Sequence, residues 1–475
     1  MNDRTCQETA SLPDATGPPQ RGSGEVGVLP RRTKACYGVS ALGGGLVEFS
    51  LTLYLFYFYT DLVGVSPSLL GIIVPVAILI DALTDIPMGW WSDRTHSRWG
   101  RRRPFILFAA APFGLAFFLL FTPPDQHAGL YLFVVLTSFY LAMTVFLVPY
   151  NGLGTELTLD HHERTSLMAY RQVFYLVGLF CGTGAKLVTE LFANERTGFA
   201  ITGLAFGVVI TGTILLTFAG TSERSEFGLR RSEAPRPRFG DMIRNRPFVI
   251  MLVTYIILNV SIMVPGVLGA QVAKHWLGAE HLFPFGMATF LLCGVVAVPF
   301  WVWLSRRLDK RPALILSFLL AAGAVASAAL LTPQRVWLFF VCFTGMGLAF
   351  GGFMTLPISI IGDTIDYDEY RTGRRRDGFY WGMAEFCRKV SQGAAFGVIG
   401  LTLGHLGYDG QAAEQSPSAL WGLKALFVGV PLVLFLASAL AFWPYPLTKE
   451  RHNQIHREMG RALNPPAQDG VAGDG

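Results

Sequence analysis

Residues 69–104 read LLGIIVPVAILIDALTDIPMGWWSDRTHSRWGRRRP. The apolar run at 69–91 is long enough to cross ~30 Å of hydrocarbon as one helix. Two acids, Asp81 and Asp85, interrupt the run, and five arginines follow before Pro104. A charge at the centre of a membrane helix costs ~2.5–3.5 kcal/mol, so acids at this depth indicate function. The stretch therefore predicts a membrane-spanning helix with a polar site inside it and a basic loop after it.

The composition of the whole chain is that of a membrane protein. Of its 475 residues, 52% are hydrophobic and 15% are charged, and the mean hydropathy is +0.42. A soluble chain carries about 25% charge. These values exclude a disordered protein and argue against a soluble multidomain enzyme. Twelve apolar stretches can form membrane helices: 37–60, 69–91, 104–122, 129–153, 171–193, 197–219, 247–272, 281–305, 312–332, 336–362, 377–404 and 420–445.

Basic residues are concentrated in every second loop. They precede the first span, follow the second, eighth and tenth spans, and fill the central loop 220–246, whereas loops 61–68 and 122–129 have none. Cytoplasmic loops retain Lys and Arg, so we predict an integral plasma-membrane protein with both termini cytoplasmic. The net charge of +5 is spread over many loops, which favours a topology signal over nucleic-acid binding.

The chain also repeats itself at one offset. Pro104 and Pro312, each after a basic loop, are 208 positions apart, and so are Gly154 and Gly362. This predicts an all-α polytopic protein of two six-helix halves in parallel repeat, the arrangement of major facilitator transporters, with a substrate site near the midplane between the halves. The predicted parts are a tail, the two halves, a central loop and a second tail: 1–33, 34–219, 247–445, 220–246 and 446–475.

The two acids of the second span form a candidate cation site. Asp81 and Asp85 are four residues apart, which places both carboxylates on one helical face, and Thr84 lies beside them. Two close carboxylates repel each other, so one holds a proton unless a cation lies between them. Carboxylate and hydroxyl oxygens are also the ligands that a hard cation prefers. We therefore predict that Na⁺ or H⁺ binds here as the coupling ion.

Other charges lie inside predicted spans. Lys389 of the eleventh span can supply a countercharge from the other half, and a bound cation would then release it; the alternative is a lysine that reaches the nearer interface. Glu48 lies well inside the first span, and Arg171 opens the fifth. Lys186 and Glu190 are four residues apart, which predicts a local pair. The sequence has no Walker-type phosphate loop and no metal-site spacing, so neither an ATP-driven pump, an enzyme nor a cofactor is expected.

Three motifs resemble one transporter family. They are YFYTDLVG at 57–64, DALTDIPMGW at 81–90 leading to SRWGRRRP at 97–104, and DTIDYDEY at 363–370 running on to Lys389. Over residues ~34–445 the chain resembles the glycoside–pentoside–hexuronide cation symporters of the major facilitator superfamily, typified by the melibiose carriers.

The resemblance implies roles for individual residues. Asp81 and Asp85 match the cation-binding acids of the family, Thr84 a neighbouring polar ligand, and Thr144 a hydroxyl on the fourth span that completes the site. Lys389 matches a lysine close to both the cation and the substrate. The residues that match the cytoplasmic gate are Arg171, at the start of the fifth span, and members of two acidic loops: Glu163, Arg164, Asp366 and Glu369.

The departures from the family concern the sugar site. Gly45 and Leu147 stand where melibiose carriers have two sugar-binding aspartates, and Asn151 stands where they have a stacking tryptophan. Glu48 lies three residues after Gly45, on nearly the same helical face, and could replace the lost acid. The departures argue against a melibiose-type galactoside. Gly45 and Leu147 would also suit the lysolipid-carrying branch of the family.

Three functions follow from these observations. The first is cation-coupled inward symport of a small solute, a sugar or glycoside, by a monomer in the lipid bilayer. The second is the same mechanism with a lysophospholipid or another amphiphile as the substrate. The third, of a different class, is a sensor or scaffold that transports nothing. The segment Leu447–Asn464 has the pattern of a short amphipathic helix, for which we predict a position on the membrane, with partner binding as the alternative.

Overall fold

A computed structural model describes residues 29–95, 97–158, 161–223, 239–374, 376–412 and 414–463. Over these residues the protein is a bundle of helices joined by short loops, with no β-strand in the described part. Much of both predicted tails and of the central loop lies outside the described residues, namely 1–28, 224–238 and 464–475.

The first six predicted spans are all helical. Two short π-helical turns, Leu51–Leu55 and Phe58–Leu62, continue the first span towards its loop. The helices of this half are α1 Arg31–Gly38, α2 Ser40–Ser50, α3 Pro67–Arg94, α4 Arg103–Leu120, α5 Ala128–Glu156, α6 His161–Thr183, α7 Ala185–Thr189 and α8 Glu195–Gly220.

The second half repeats this plan after the short helix α9, Phe239–Ile243. Its π-helical turns are Val272–Trp276 and Ala425–Gly429, and its 3₁₀ turns are Glu280–Leu282 and Ala328–Leu330. Its α-helices are α10 Arg246–Gln271, α11 Phe283–Leu308, α12 Lys310–Ser327, α13 Trp337–Thr372, α14 Asp377–His405, α15 Pro417–Lys424 and α16 Val430–Phe442, followed by α17 Lys449–Leu463.

Within the described residues, ten helices are long and apolar enough to cross a membrane. The two other predicted spans, the fifth and the eleventh, are the helices α6 and α14. Both are helical over more than twenty residues, but charged side chains lower their hydropathy. The predicted all-α fold of twelve spans in two halves is confirmed, and Pro104 and Pro312 both lie in the first turn of equivalent helices, α4 and α12.

Several predicted boundaries were wrong at the ends that carry charge. Helix α6 begins at His161, so Glu163 and Arg164 are helical rather than in a loop, and Arg171 lies in the middle of the helix rather than at its start. Helix α13 continues to Thr372, so Asp366 and Glu369 are helical too. Hydropathy marks the part of a helix that is embedded in lipid, whereas backbone hydrogen bonding carries the helix further into polar sequence.

The tail helix α17 is present as predicted, but it packs against the second half. The side chain of Ile455 is fully buried, and the backbone amide of Lys449 donates to Asp309 at 2.9 Å. The imidazole of His452 lies 3.4 Å from carboxylate oxygens of Asp363 and of Asp366, both on α13. The helix is therefore docked on the bundle, and its predicted position on the membrane surface stays a prediction.

Two faces of the bundle are named after the predicted orientation. The inner face is the end at which Arg94 and Arg103 lie, and the outer face is the end at which Pro67 and Ala128 lie. Helices α3 and α14, one from each half, pack together towards the outer face. A Cβ atom on Gly400 would lie 2.5 Å from the carbonyl oxygen of Pro67, so only glycine permits this backbone contact.

Towards the inner face the same two helices separate. Gly382 lies two turns inward of Lys389 on the same face of α14, and a Cβ atom on it would meet nothing within 4 Å. Among the described residues, the halves are therefore packed together at the outer face, and α14 has open space around Gly382 at the inner face. This is the geometry of an inward-open conformation.

Ion pairs join the halves at the outer face. The Asp61 carboxylate, whose side chain has no exposed surface, lies 3.1 Å from the ammonium of Lys274 and 2.9 Å from Nε2 of His275. The hydroxyl of Tyr408 donates to the same carboxylate at 3.2 Å. Burial and the charge of Asp61 raise the pKa of Tyr408 above its ordinary value, so its hydroxyl remains a donor.

A second set of charges reinforces this closure. The ammonium of Lys186 lies 2.6 Å from carboxylates of Glu195, in its own half, and of Glu280, in the other half. The predicted local pair of Lys186 with Glu190 was wrong, because the lysine side chain points between the halves. We call these residues the outer polar cluster: Asp61, Lys186, Glu195, Lys274, His275, Glu280 and Tyr408.

Substitution of Gly400 by alanine should open the outer face. The added methyl would overlap the Pro67 carbonyl, and overpacking of this kind costs ~1–3 kcal/mol. In a background without native cysteines, a Thr52→Cys reporter should react about fivefold or more faster with an impermeant maleimide added from outside. Gly382→Ala, on the same helix but without a neighbour, is the matched control. Equal labelling rates in the two variants would contradict the outer closure.

Candidate functional site

The candidate site is held by α3, α5 and α14. Helix α3 is capped at its N-terminus by Ser66, whose hydroxyl accepts from the amide of Leu69, and Pro67 lies in its first turn. Two more prolines, Pro75 and Pro87, lie within α3 on either side of the two acids. A proline has no amide hydrogen, so the carbonyl oxygens of Gly71 and Leu83 each lack the backbone bond that an amide four residues later would donate.

The structure brings Asp81, Asp85 and Lys389 together. The ammonium of Lys389 lies 2.7 Å from Oδ2 of Asp81 and 2.6 Å from Oδ2 of Asp85. Asp81 and Lys389 are buried, whereas the side chain of Asp85 is 28% exposed and faces the space between the halves. One lysine of the second half thus pairs with two acids of the first, and with all three groups ionised one negative charge is left over.

The two threonines predicted for this site differ in their contacts. The hydroxyl of Thr144, on α5, lies 2.6 Å from Oδ1 of Asp81 and 3.1 Å from Oδ1 of Asp85. The hydroxyl of Thr84 instead donates to the carbonyl oxygen of Asp81, within its own helix, at 2.9 Å. Thr144 therefore belongs with the carboxylates, and Thr84 satisfies the backbone beside them.

A second group of charges lies next to Lys389. The guanidinium of Arg388 binds Glu385 with two bonds, of 2.9 and 2.6 Å, and lies 4.0 Å from Glu48 of the first half. The hydroxyl of Tyr175, on α6, donates to Glu48 at 2.7 Å. We call Glu48, Tyr175, Glu385 and Arg388 the Arg388 cluster. Its three charged side chains are all partly exposed.

Of this cluster only Glu48 was predicted as a site residue. A signal for the others was present, because three charges within five residues, Glu385, Arg388 and Lys389, are costly in a membrane span. Tyr175 had no signal, since a tyrosine in a span is ordinary and its contact with Glu48 joins residues far apart in the chain.

The prediction that Gly45 lines the substrate site was wrong. A Cβ atom on Gly45 would lie 2.2 Å from the carbonyl oxygen of Tyr175, so Gly45 is the point at which α2 and α6 cross. No carboxylate would fit there. Leu147 is half-buried and packs against the hydrophobic core, and Asn151 is exposed near the inner end of α5. Neither Leu147 nor Asn151 has a described polar contact with the two acids and Lys389 or with the Arg388 cluster.

A cavity opens beside Glu48. It contains about 700 Å³ of space, including its open mouth, and both halves line it. Among its described lining residues, Glu48, Thr52 and Cys342 are the polar ones. We call the remainder of its wall the apolar pocket, which consists mainly of Phe49, Leu53, Met263, Met287, Phe290, Phe343, Met346, Phe350 and Phe427.

The residues predicted for the inner gate lie in two separate places. In the first half, Glu163 binds the ammonium of Lys34 at 2.9 Å, and Arg164 is exposed. Arg171 lies over the ring of Tyr150, 5.3 Å from its centroid. In the second half, Asp366 lies beside His452 of α17, and Glu369 is half-buried on α13. The described ion pairs of Glu163 and of Asp366 are thus each made with a residue of the same half.

The family model described as MFS/sugar transport protein matches residues 36–449. The chain belongs to this family. Its members are major facilitator proteins, so the resemblance expected from the three motifs is confirmed.

Individual relatives agree with this assignment. The chain is 28% identical to a putative glycoside/cation symporter of Escherichia coli, over 91% of this chain and 95% of the relative. It is 24% identical to the sodium-dependent lysophosphatidylcholine symporter 1 of Gallus gallus, over 91% and 88%. A bacterial homologue of the human lysosomal transporter Spinster, solved in an inward-facing, unoccupied conformation, has the same fold, with a TM-score of 0.66 and 12% identity, over 91% of this chain and 99% of that one.

Replacing the two threonines by valine should separate their roles. Thr144→Val removes the hydroxyl that both carboxylates share, so we expect the affinity for a site cation to fall about tenfold. Thr84→Val removes a bond within one helix and should change the affinity by less than about twofold. Titration of purified protein with Na⁺ and with acid, followed by thermal unfolding, measures both. A larger loss in Thr84→Val than in Thr144→Val would contradict the assignment.

Proposed function

We propose that this protein is a secondary active transporter that couples the entry of Na⁺ or H⁺ to symport of a small organic solute, a sugar or a glycoside. The observation that carries this proposal is the position of Lys389 between Asp81 and Asp85, with the lysine and the acids on opposite halves. The family match and the glycoside/cation symporter among the relatives support the same substrate class and mechanism.

The lysine and the coupling ion compete for the same carboxylate oxygens. In the inward-open structure, Lys389 supplies the positive charge that the two acids need. A cation that binds there replaces the ammonium, and the contact between α3 and α14 at this level is lost. Because a ligand shifts a conformational equilibrium only through different affinities for the two states, this competition is what couples the ion to the conformation.

Transport then consists of rocking between two halves, which we assign to residues 34–219 and 247–445. With the ion bound and Lys389 released, the outer face opens and the substrate enters from outside. Closure of the outer polar cluster re-forms the inward-open state, and both cargoes leave at the inner face. In this proposal the termini are cytoplasmic, the membrane is the plasma membrane, and one copy of the chain suffices, since both cargo sites lie within it.

Asp85→Asn tests the coupling. It leaves Lys389 with a single acid, so the neutral pair Asp81–Lys389 has no remaining charge for a cation to neutralise. We expect concentrative uptake to fall by at least about tenfold while exchange of substrate across the membrane persists. Uptake and exchange in proteoliposomes under imposed Na⁺ and H⁺ gradients measure the two quantities.

The matched control for this variant is Asp125→Asn, an 88% exposed acid in an outer loop that pairs with Arg196. It makes the same chemical change outside the site and should leave concentrative uptake intact. Normal accumulation in Asp85→Asn would defeat the proposed coupling. Absence of flux for every glycoside, uronide and lysolipid in either gradient would favour the sensor or scaffold instead.

The apolar pocket favours one second candidate, an amphiphile such as a lysophospholipid. Its wall of Phe and Met side chains would accept an acyl chain, and Arg388 or Lys389 would face the phosphate. The lysophosphatidylcholine symporter among the relatives supports the same substrate class. Accumulation of radiolabelled lysophosphatidylcholine that exceeds that of all glycosides in the same vesicles would select this candidate over the first.

A further inference from the structure

The Arg388 cluster has the chemistry of a site for a neutral polyol. Glu48, Glu385 and Arg388 are partly exposed, belong to both halves and face the same space. Carboxylates accept from hydroxyl groups and a guanidinium donates to them, so paired hydroxyls of a sugar ring match both. Two acids outnumber one base here, and the neighbouring Asp81, Asp85 and Lys389 add a further net negative charge. A sugar that carries its own carboxylate would be repelled.

The cavity beyond Glu48 has the opposite chemistry. Phe49, Thr52 and Leu53 follow Glu48 along a helix that runs to the outer face, and the apolar pocket surrounds them. A second sugar ring placed there would bury hydroxyl groups without partners, each at a considerable cost. An aromatic or short aliphatic group would instead be solvated by Phe290, Met287, Met346 and Phe350.

One polar atom lies between these two regions. The hydroxyl of Thr52 is buried and has no hydrogen-bond partner among the described residues. Thr52 is one helical turn from Glu48 and lines the same cavity. A buried hydroxyl without a partner is unusual in a native protein, and a ligand oxygen at this position would satisfy it.

We propose that the substrate is a neutral glycoside with an apolar aglycone, aryl or short alkyl. The sugar hydroxyls bind Glu48, Arg388 and Glu385, the glycosidic oxygen accepts from Thr52, and the aglycone fills the apolar pocket. This inference rests on the proposed symport function and names the substrate class of that site.

Binding of matched ligands to the purified, full-length protein in nanodiscs tests the proposal by calorimetry. The probes are the methyl glycoside, the phenyl glycoside and the phenyl uronide of glucose, galactose and xylose where each exists, with and without Na⁺. For at least one sugar, the phenyl glycoside should bind about tenfold or more tightly than the methyl glycoside, because burial of the ring removes apolar surface from water. The phenyl uronide should bind about tenfold more weakly than its neutral counterpart.

Three variants locate the two ends of the ligand. Glu48→Gln should weaken methyl and phenyl glycosides by the same factor. Phe290→Leu should lower the ratio of phenyl to methyl affinity, because it removes an aromatic ring that contacts the phenyl group and keeps the pocket wall apolar. Phe300→Leu, on the same helix with its side chain 50% exposed, is the matched control and should keep the wild-type ratio.

The possible outcomes separate this inference from the proposed function. Equal binding of phenyl and methyl glycosides, tighter binding of uronides, or a lysophospholipid that outcompetes every glycoside would overturn it, even if cation-driven uptake of a sugar is found. If phenyl glycosides bind as expected but neither gradient drives their accumulation, the substrate site stands and the symport function fails. If no glycoside binds, the inference is wrong.

Discussion

A single ammonium group shared by two carboxylates connects the halves of this protein. Lys389 lies within 2.7 Å of both Asp81 and Asp85, and the acids and the base come from helices that must separate when the outer face opens. Withdrawal of the lysine would leave two uncompensated carboxylates in a medium of low dielectric constant, which is strongly unfavourable. The halves can therefore part at this level only if another cation takes the place of the lysine. The charge balance among Asp81, Asp85 and Lys389 therefore determines which conformations the bundle can adopt.

The contact between α3 and α14 changes character along its length. Near the outer face it is backbone against backbone, because Gly400 has no side chain and Pro67 presents its carbonyl. At the level of Lys389 it is electrostatic, and further inward the helices separate around Gly382. The outer contact of α3 with α14 depends on steric fit and is insensitive to the cation. The contact at Lys389 is electrostatic and is weakened when a cation binds. Two helices can thus hold the protein shut at one end and respond to an ion in the middle.

The features that could be predicted from the sequence are those whose misplacement carries a large free-energy cost. The spans follow from hydropathy, and Asp81, Asp85 and Lys389 were predicted because charge inside a membrane requires a partner. Prediction failed where the answer depends on which helices touch. Gly45 and Glu48 do share a helical face, but that face packs on α6, so the glycine serves helix crossing and only the longer Glu48 reaches the cavity. The outer polar cluster was missed because Asp61 and Lys274 lie far apart in the chain and no local pattern joins them.

The docked tail helix has a practical consequence. Ile455 is fully buried, and His452 and Lys449 contact residues of the second half, so α17 travels with that half as one body. The inner end of α5, near Asn151, belongs to the first half. A pair of fluorescent dyes, one on the exposed side of α17 and one at this end, would convert the rocking of the halves into a change in energy transfer. A dye on the tail helix would thus report the distance between the halves during each turnover in single-molecule recordings.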